Sequence, residues 1–146
     1  MKRVADETAD PLLAKLEKQP NNAKLLVQVG NVYKAAHQFK QAAGYYGQSL
    51  KIDPANVTIR TEMASCLYYT GNVDGALSEL QHSLRDRPKD ANSLFNLGMI
   101  KWRGKNDPKG AVMAWRQLLK SNPNLEQDKK ATVEKLIADA TQVTVN

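Results

Sequence analysis

Residues 42–54 read AAGYYGQSLKIDP. The same framework returns as ALSELQHSLRDRP at 76–88 and as AVMAWRQLLKSNP at 111–123. Each copy opens on a small residue, Ala42, Ala76 or Ala111. Four positions later each has a large apolar residue, Tyr46, Leu80 or Trp115. Each then closes on Leu-x-x-x-Pro: Leu50 and Pro54, Leu84 and Pro88, Leu119 and Pro123. With Pro20, the prolines stand 34, 34 and 35 residues apart. A fixed period of this size marks stacked supersecondary units, none of which can bury its apolar face alone. Working outward, the units run over 23–56, 57–90 and 91–124. The additional residue of the third is expected in the turn Arg103-Gly104-Lys105-Asn106-Asp107, since a loop absorbs a residue at less cost than a packed helix.

Within the units, apolar residues recur at helical spacing: Leu26, Val29 and Tyr33; Ala43, Tyr46 and Leu50; Leu94, Leu97 and the stem of Lys101. Gly and Asn in the turns mark helix stops. Asp10-Pro11 and Asp107-Pro108 each offer an N-cap acceptor followed by proline at the first helical position. Gly30 and Gly98 fall inside helices, where glycine costs about 1 kcal/mol against alanine. That cost is tolerable where a neighbouring helix approaches closely. Alternating β-branched runs are missing from the sequence, which argues against a sheet. A lone helix is expected over 10–20 and a capping helix over 126–140. The latter carries Ala131, Val133, Leu136, Ile137 and Ala140 on one side and charges on the other. Residues 1–9 and 141–146 are expected to fray. The whole chain, 1–146, reads as one all-α domain.

These residues resemble the tetratricopeptide repeat. The first unit supplies Leu26, Val29-Gly30, Tyr33, Ala42, Tyr46, Ser49 and Pro54. The third supplies Leu94, Leu97-Gly98, Ala111, Trp115, Leu118 and Pro123. The second departs from the pattern, with Arg60 in a bulky apolar slot and Met63-Ala64 for Leu-Gly, but its Gly71-Asn72 turn and Ala76 fit. The resemblance implies a right-handed α-solenoid of three helix-turn-helix units, with a preceding half-unit helix and a C-terminal capping helix. It further implies a non-catalytic scaffold that holds a peptide or protein segment in a groove lined by the first helices. Helical spacing places Lys24, Val27, Asn31 and Lys34 on that side of the first unit. The second unit offers Thr58, Thr61, Ser65 and Tyr68. The third offers Asn92, Phe95, Asn96, Met99 and Trp102. Phe95 and Trp102 face either this groove or the capping helix. Family members that clamp a chaperone's C-terminal carboxylate use two lysines, two asparagines and an arginine. The matching positions here are Val27, Asn31, Glu62, Asn92 and Asn96, so such a tail is not the expected ligand. The third unit, residues 96–111 with Trp115 and Leu118-Leu119, is also similar to bacterial tetratricopeptide proteins of the cytochrome c biogenesis type. Those are typically anchored in the inner membrane with periplasmic repeats. That likeness implies an assembly factor in the periplasm; without it the chain reads as a cytoplasmic protein.

Composition limits the other classes. The chain carries 21 Lys and Arg against 15 Asp and Glu, a formal charge of +6. Lys101, Arg103, Lys105, Lys109, Arg116 and Lys120 form a local basic patch offset only by Asp107. It could attract an acidic protein, an anionic membrane or nucleic acid. Register positions Lys34, Tyr68 and Trp102 spell no base-reading code, so nucleic acid is not the favoured partner. A homo-oligomerising structural module is the other alternative, with a monomer or weak oligomer expected. Cys66 excludes an internal disulfide and reads as a small core residue. His37 and His82 lack ligand spacing for a metal. The sequence holds neither a phosphate loop nor a nucleophile elbow, so no cofactor, metal or enzymatic activity is expected. Apolar runs fall far short of the roughly 20 residues that a membrane-spanning helix needs. Lys2-Arg3 is followed by Ala-Asp-Glu and not by the apolar run of a signal peptide.

Overall fold

The computed structural model describes residues 4–145, with side chains through residue 142. Eight helices are found among them: α1 (Val4–Lys18), α2 (Ala23–Ala35), α3 (Phe39–Ile52), α4 (Val57–Tyr69), α5 (Val73–Asp86), α6 (Ala91–Lys105), α7 (Pro108–Ser121) and α8 (Gln127–Val145). The described residues form no strand. The expected pairs are therefore α2–α3, α4–α5 and α6–α7. The chain divides into two compact units, residues 1–79 and 80–146, with the boundary inside α5. Repeat proteins contact mainly their sequence neighbours, which favours such a division.

Local chemistry explains the helix bounds. Two residues beyond each of the first three repeat prolines stands an Asn or Asp: Asn22, Asn56 and Asp90. Each side chain accepts a hydrogen bond from the backbone N–H three residues on, at 3.1, 3.1 and 3.0 Å. Asp107 does the same for α7, accepting from the Gly110 N–H at 2.9 Å, with Pro108 in the first turn. Sequence reading found the Asp107 cap and missed the other three. Each turn between paired helices contains one residue of positive φ: His37 (59°), Gly71 (88°) and Asn106 (51°). Such a residue reverses the chain within two or three positions.

Several boundaries differ from expectation. The N-terminal helix begins at Val4, so Asp10 does not cap it and Pro11 lies in its interior. Burial of Ala5 and Ala9 anchors the first turns that were expected to fray. The N–H that Pro11 lacks would have gone to the Glu7 carbonyl, and Glu7 is exposed to water. Residues 1–3 lie outside the described residues. At the other end α8 continues to Val145, held by buried Ala140 and by the Thr141 hydroxyl, which donates to the Ile137 carbonyl at 2.6 Å. Residue 146 lies outside the described residues. The extra residue of the third repeat does not lengthen the turn. Arg103, Gly104 and Lys105 are helical, α6 has 15 residues against 13 in α2 and α4, and the turn is shorter. The left-handed Asn106 makes that shorter turn possible.

In unit 1, α1 packs on α2, α2 on α3 and α3 on α4. Its core holds Ala9, Val29, Ala42, Tyr46, Ile59, Met63 and Cys66. Gly30 is needed here, because a Cβ would meet the Tyr46 ring at 2.7 Å. Gly98 serves the same purpose in unit 2, where a Cβ would overlap the Trp115 indole. Unit 2 packs α6 on α7 and α7 on α8 around Leu94, Ala111, Trp115, Leu118, Val133 and Ala140.

Candidate peptide-binding site

The first-helix face of unit 1 is tied together by polar pairs. Asn31, exposed on α2, accepts a hydrogen bond at 2.6 Å from the hydroxyl of buried Tyr46 on α3. Lys34 donates to Glu62 of α4 in an ion pair whose side chains are 38% and 36% exposed. Lys24 and Thr58 are exposed; Val27, Ser65 and Tyr68 are half-buried. Val27 packs on the unit 1 core, and Tyr68 lies tilted against Tyr69 at 5.5 Å. Thr61 leaves the expected face: it is buried, since α4 also buries Val57, Ile59, Arg60, Met63, Ala64 and Cys66 around its circumference.

Arg60 explains the weak second repeat. Its guanidinium donates to Glu79 at 2.7 Å and to the Pro54 carbonyl at 3.0 Å, while the side chain is only 8% exposed. The stem fills the apolar slot and the head replaces a packing contact with two charge-assisted bonds. Cys66 is buried, as expected of a core residue, and burial pushes its thiol up to about 11, with Lys34 pulling the other way and Glu62 adding to the rise. Burial and a 2.9 Å hydrogen bond to Asp6 push Tyr33 up to about 12.

Unit 2 presents a different face. Phe95, Met99 and Trp102 of α6 all pack on the cluster that α8 completes with Val133, Leu136 and Ile137. Trp102 meets Trp115 edge-to-face at 5.8 Å. The Trp115 indole N–H donates to the Phe95 carbonyl at 3.2 Å, fixing the α6 backbone beside it. Between α6 and α8 lies a cavity of about 310 Å³. Its apolar lining is Phe95, Leu118, Leu125 and Val133; Asn92, Asp128, Lys129 and Thr132 stand at its polar edge. The cavity thus gathers Asn92 and Phe95 from the expected set, but not Asn96, Met99 or Trp102.

Sequence reasoning missed the α8 side of this cavity. The signal was present: α8 begins within one residue of the register, relative to Pro123, at which the first helices follow their prolines. Reading it as a cap named Val133 on its apolar side but not a cavity beneath it. The basic residues lie on two helices that pack on each other. Lys109 and Arg116 lie exposed on α7, whereas Arg103 and Lys105 lie exposed in the last turn of α6. Among the described residues, no cluster of three His, Cys, Asp or Glu could hold a metal, and no helix is long and apolar enough to cross a membrane.

Tetratricopeptide-repeat family models match residues 33–94 and 92–125. The chain carries tetratricopeptide repeats. Among curated proteins, the chain is similar to anaphase-promoting complex subunit 3 of Schizosaccharomyces pombe, 33% identical over 84 residues. That match takes in 58% of this chain and 13% of the relative's length. Among solved structures, the chain is similar to the first tetratricopeptide domain of Spaghetti (RPAP3) bound to the HSP90 peptide SRMEEVD. The TM-score is 0.73 at 17% identity, over 85% of this chain and 94% of that one. It is also similar to the Sgt2 domain from Aspergillus fumigatus, with a TM-score of 0.73 at 20% identity over 84% and 78% of the two chains. MamA gives 0.74 at 15% identity over 94% and 78%. These likenesses establish an all-α fold of tetratricopeptide helix-turn-helix units, of the α-solenoid class.

Proposed function

We propose that this chain is a non-catalytic protein-binding module that holds an extended segment of a partner against the α6–α8 face of unit 2. The observation that carries the reading is the cavity of about 310 Å³, apolar inside and polar at its edge. That volume suits one large apolar side chain, and small-molecule or side-chain sites have this pattern of apolar lining with few polar groups. Asn92 and Thr132 supply hydrogen-bonding groups for the backbone of the segment. A chaperone's terminal carboxylate is not the proposed ligand. Glu62 would repel it, and Lys34 is already engaged with Glu62. The finer reading, an assembly factor of the cytochrome c biogenesis type, rests on the sequence of the third repeat.

A display library of random peptides selected on the whole chain tests the proposal. Enriched peptides should share one large apolar residue, and enrichment should disappear with Asn92→Arg, which places a charged side chain at the cavity's exposed edge. A library that yields no shared apolar residue, or one indifferent to Asn92→Arg, overturns it.

A further inference from the structure

The exposed face of α7 is unlike that of the other second helices. Lys109, Met113, Arg116 and Lys120 follow one another at spacings of four, three and four, and all are exposed. At about 100° per residue they fall within about 60° of arc, a row about 17 Å long. Met113 is 73% exposed at its middle. No acidic residue occurs in α7. The corresponding register of α3 is Lys40, Gly44, Gly47 and Lys51, and that of α5 is Asp74, Ser78, Gln81 and Arg85. Only the third repeat therefore combines three cations with an apolar centre. An exposed methionine has no role in stacking the repeat, and three like charges on one helix repel one another.

We propose that this row is a second docking surface, for an acidic amphipathic helix of a partner protein. The charge is complementary to carboxylates, and the spacing asks for one carboxylate per turn beside an apolar residue that covers Met113. The surface is narrow. Helix α8, which packs on α7, mixes signs along its length: Asp128, Lys129, Lys130, Glu134, Lys135 and Asp139. A bilayer or a nucleic acid backbone would call for positive charge spread over both helices, whereas a helix matches a single row.

The probe is a fluorescent, end-blocked peptide of about 18 residues, long enough to be helical. It carries Glu, Leu, Glu and Glu at spacings of four, three and four. Its control has the same composition with the glutamates scattered around the helix. Fluorescence anisotropy with the whole chain should show binding that weakens roughly tenfold or more in Lys109→Glu/Arg116→Glu/Lys120→Glu and roughly threefold in Met113→Ser. The control peptide should bind less tightly than the probe. All four side chains are exposed, and circular dichroism of each variant checks folding. Equal affinity for probe and control, or affinity unchanged by both variants, overturns the proposal. So does failure to bind the probe at low salt. Tighter retention on phosphatidylserine vesicles than on the probe, lost in the triple variant, would overturn it in favour of a lipid surface.

Discussion

Units 1 and 2 are built on one repeat pattern and each has an apolar core, yet some slots between their helices are filled differently. In unit 1 the slots between helices are bridged by polar side chains: Tyr33 to Asp6, Tyr46 to Asn31, Lys34 to Glu62, Arg60 to Glu79. In unit 2 the same slots are filled by indoles and aliphatics around Trp115. Donors and acceptors that already satisfy one another have fewer hydrogen bonds left to offer a ligand. An apolar face leaves a cavity wherever its side chains do not meet, as between α6 and α8. The repeat register thus sets where a face lies, and the residues filling it decide whether it stays open.

The sharpest way to break the contrast is Trp115→Ala. The indole is fully buried at the centre of unit 2. Its loss should destabilise the chain by about 3–5 kcal/mol in thermal or urea unfolding, as for other buried aromatics. In unit 1 the matching test is Glu79→Ala, which leaves the Arg60 guanidinium with only the Pro54 carbonyl. A cost of about 2–3 kcal/mol is expected, discounted because Glu79 is 27% exposed. If an Arg60→Met/Glu79→Ala double variant recovers most of that loss, the pair serves to satisfy a buried charge more than to add stability.

A smaller effect of opposite sign separates the outer helices. Gly44 sits exposed in α3 with open space around its Cβ position, where α7 has Met113. Gly44→Ala should stabilise the chain by about 0.5–1 kcal/mol, read as a higher urea midpoint at unchanged slope. The last test uses alkali. Burial raises Cys66 from an ordinary 9.0 to about 11, so the fold favours the neutral thiol. Its contribution is whole below pH 9 and declines as pH rises toward 11. Cys66→Ala should flatten the loss of stability in that window. The decline owed to Tyr33, between pH 10 and about 12, should remain. An unchanged profile between pH 9 and 11 would remove Cys66 from the account.

Most of the fold was legible because the period is written in residues with strong local meaning. Pro54, Gly71, Gly98 and the Ala–aromatic spacing each speak through sterics alone. The helix ends were less legible. Asp10-Pro11 looks like a cap and a first turn, but Ala5 and Ala9 bury enough to carry the helix past it. Packing decided that boundary, and packing is not a local signal. The site was half legible for the same reason. Asn92 and Phe95 follow from helical spacing, whereas Thr61 is withdrawn by neighbours on several sides of α4, and Val133 and Leu125 enter only when α8 is placed beside α6. Arg60 looked like a departure from the repeat until its partners, Glu79 and the Pro54 carbonyl, were seen.

All five tyrosines of the chain, residues 33, 45, 46, 68 and 69, lie in unit 1, and both tryptophans, 102 and 115, lie in unit 2. The chain therefore carries a separate chromophore in each half without any label. Trp102 and Trp115 emission follows unit 2 alone, and the tyrosine signal in near-ultraviolet circular dichroism follows unit 1. Coincident curves would mean that the two halves melt as one; separated curves would give each half its own midpoint.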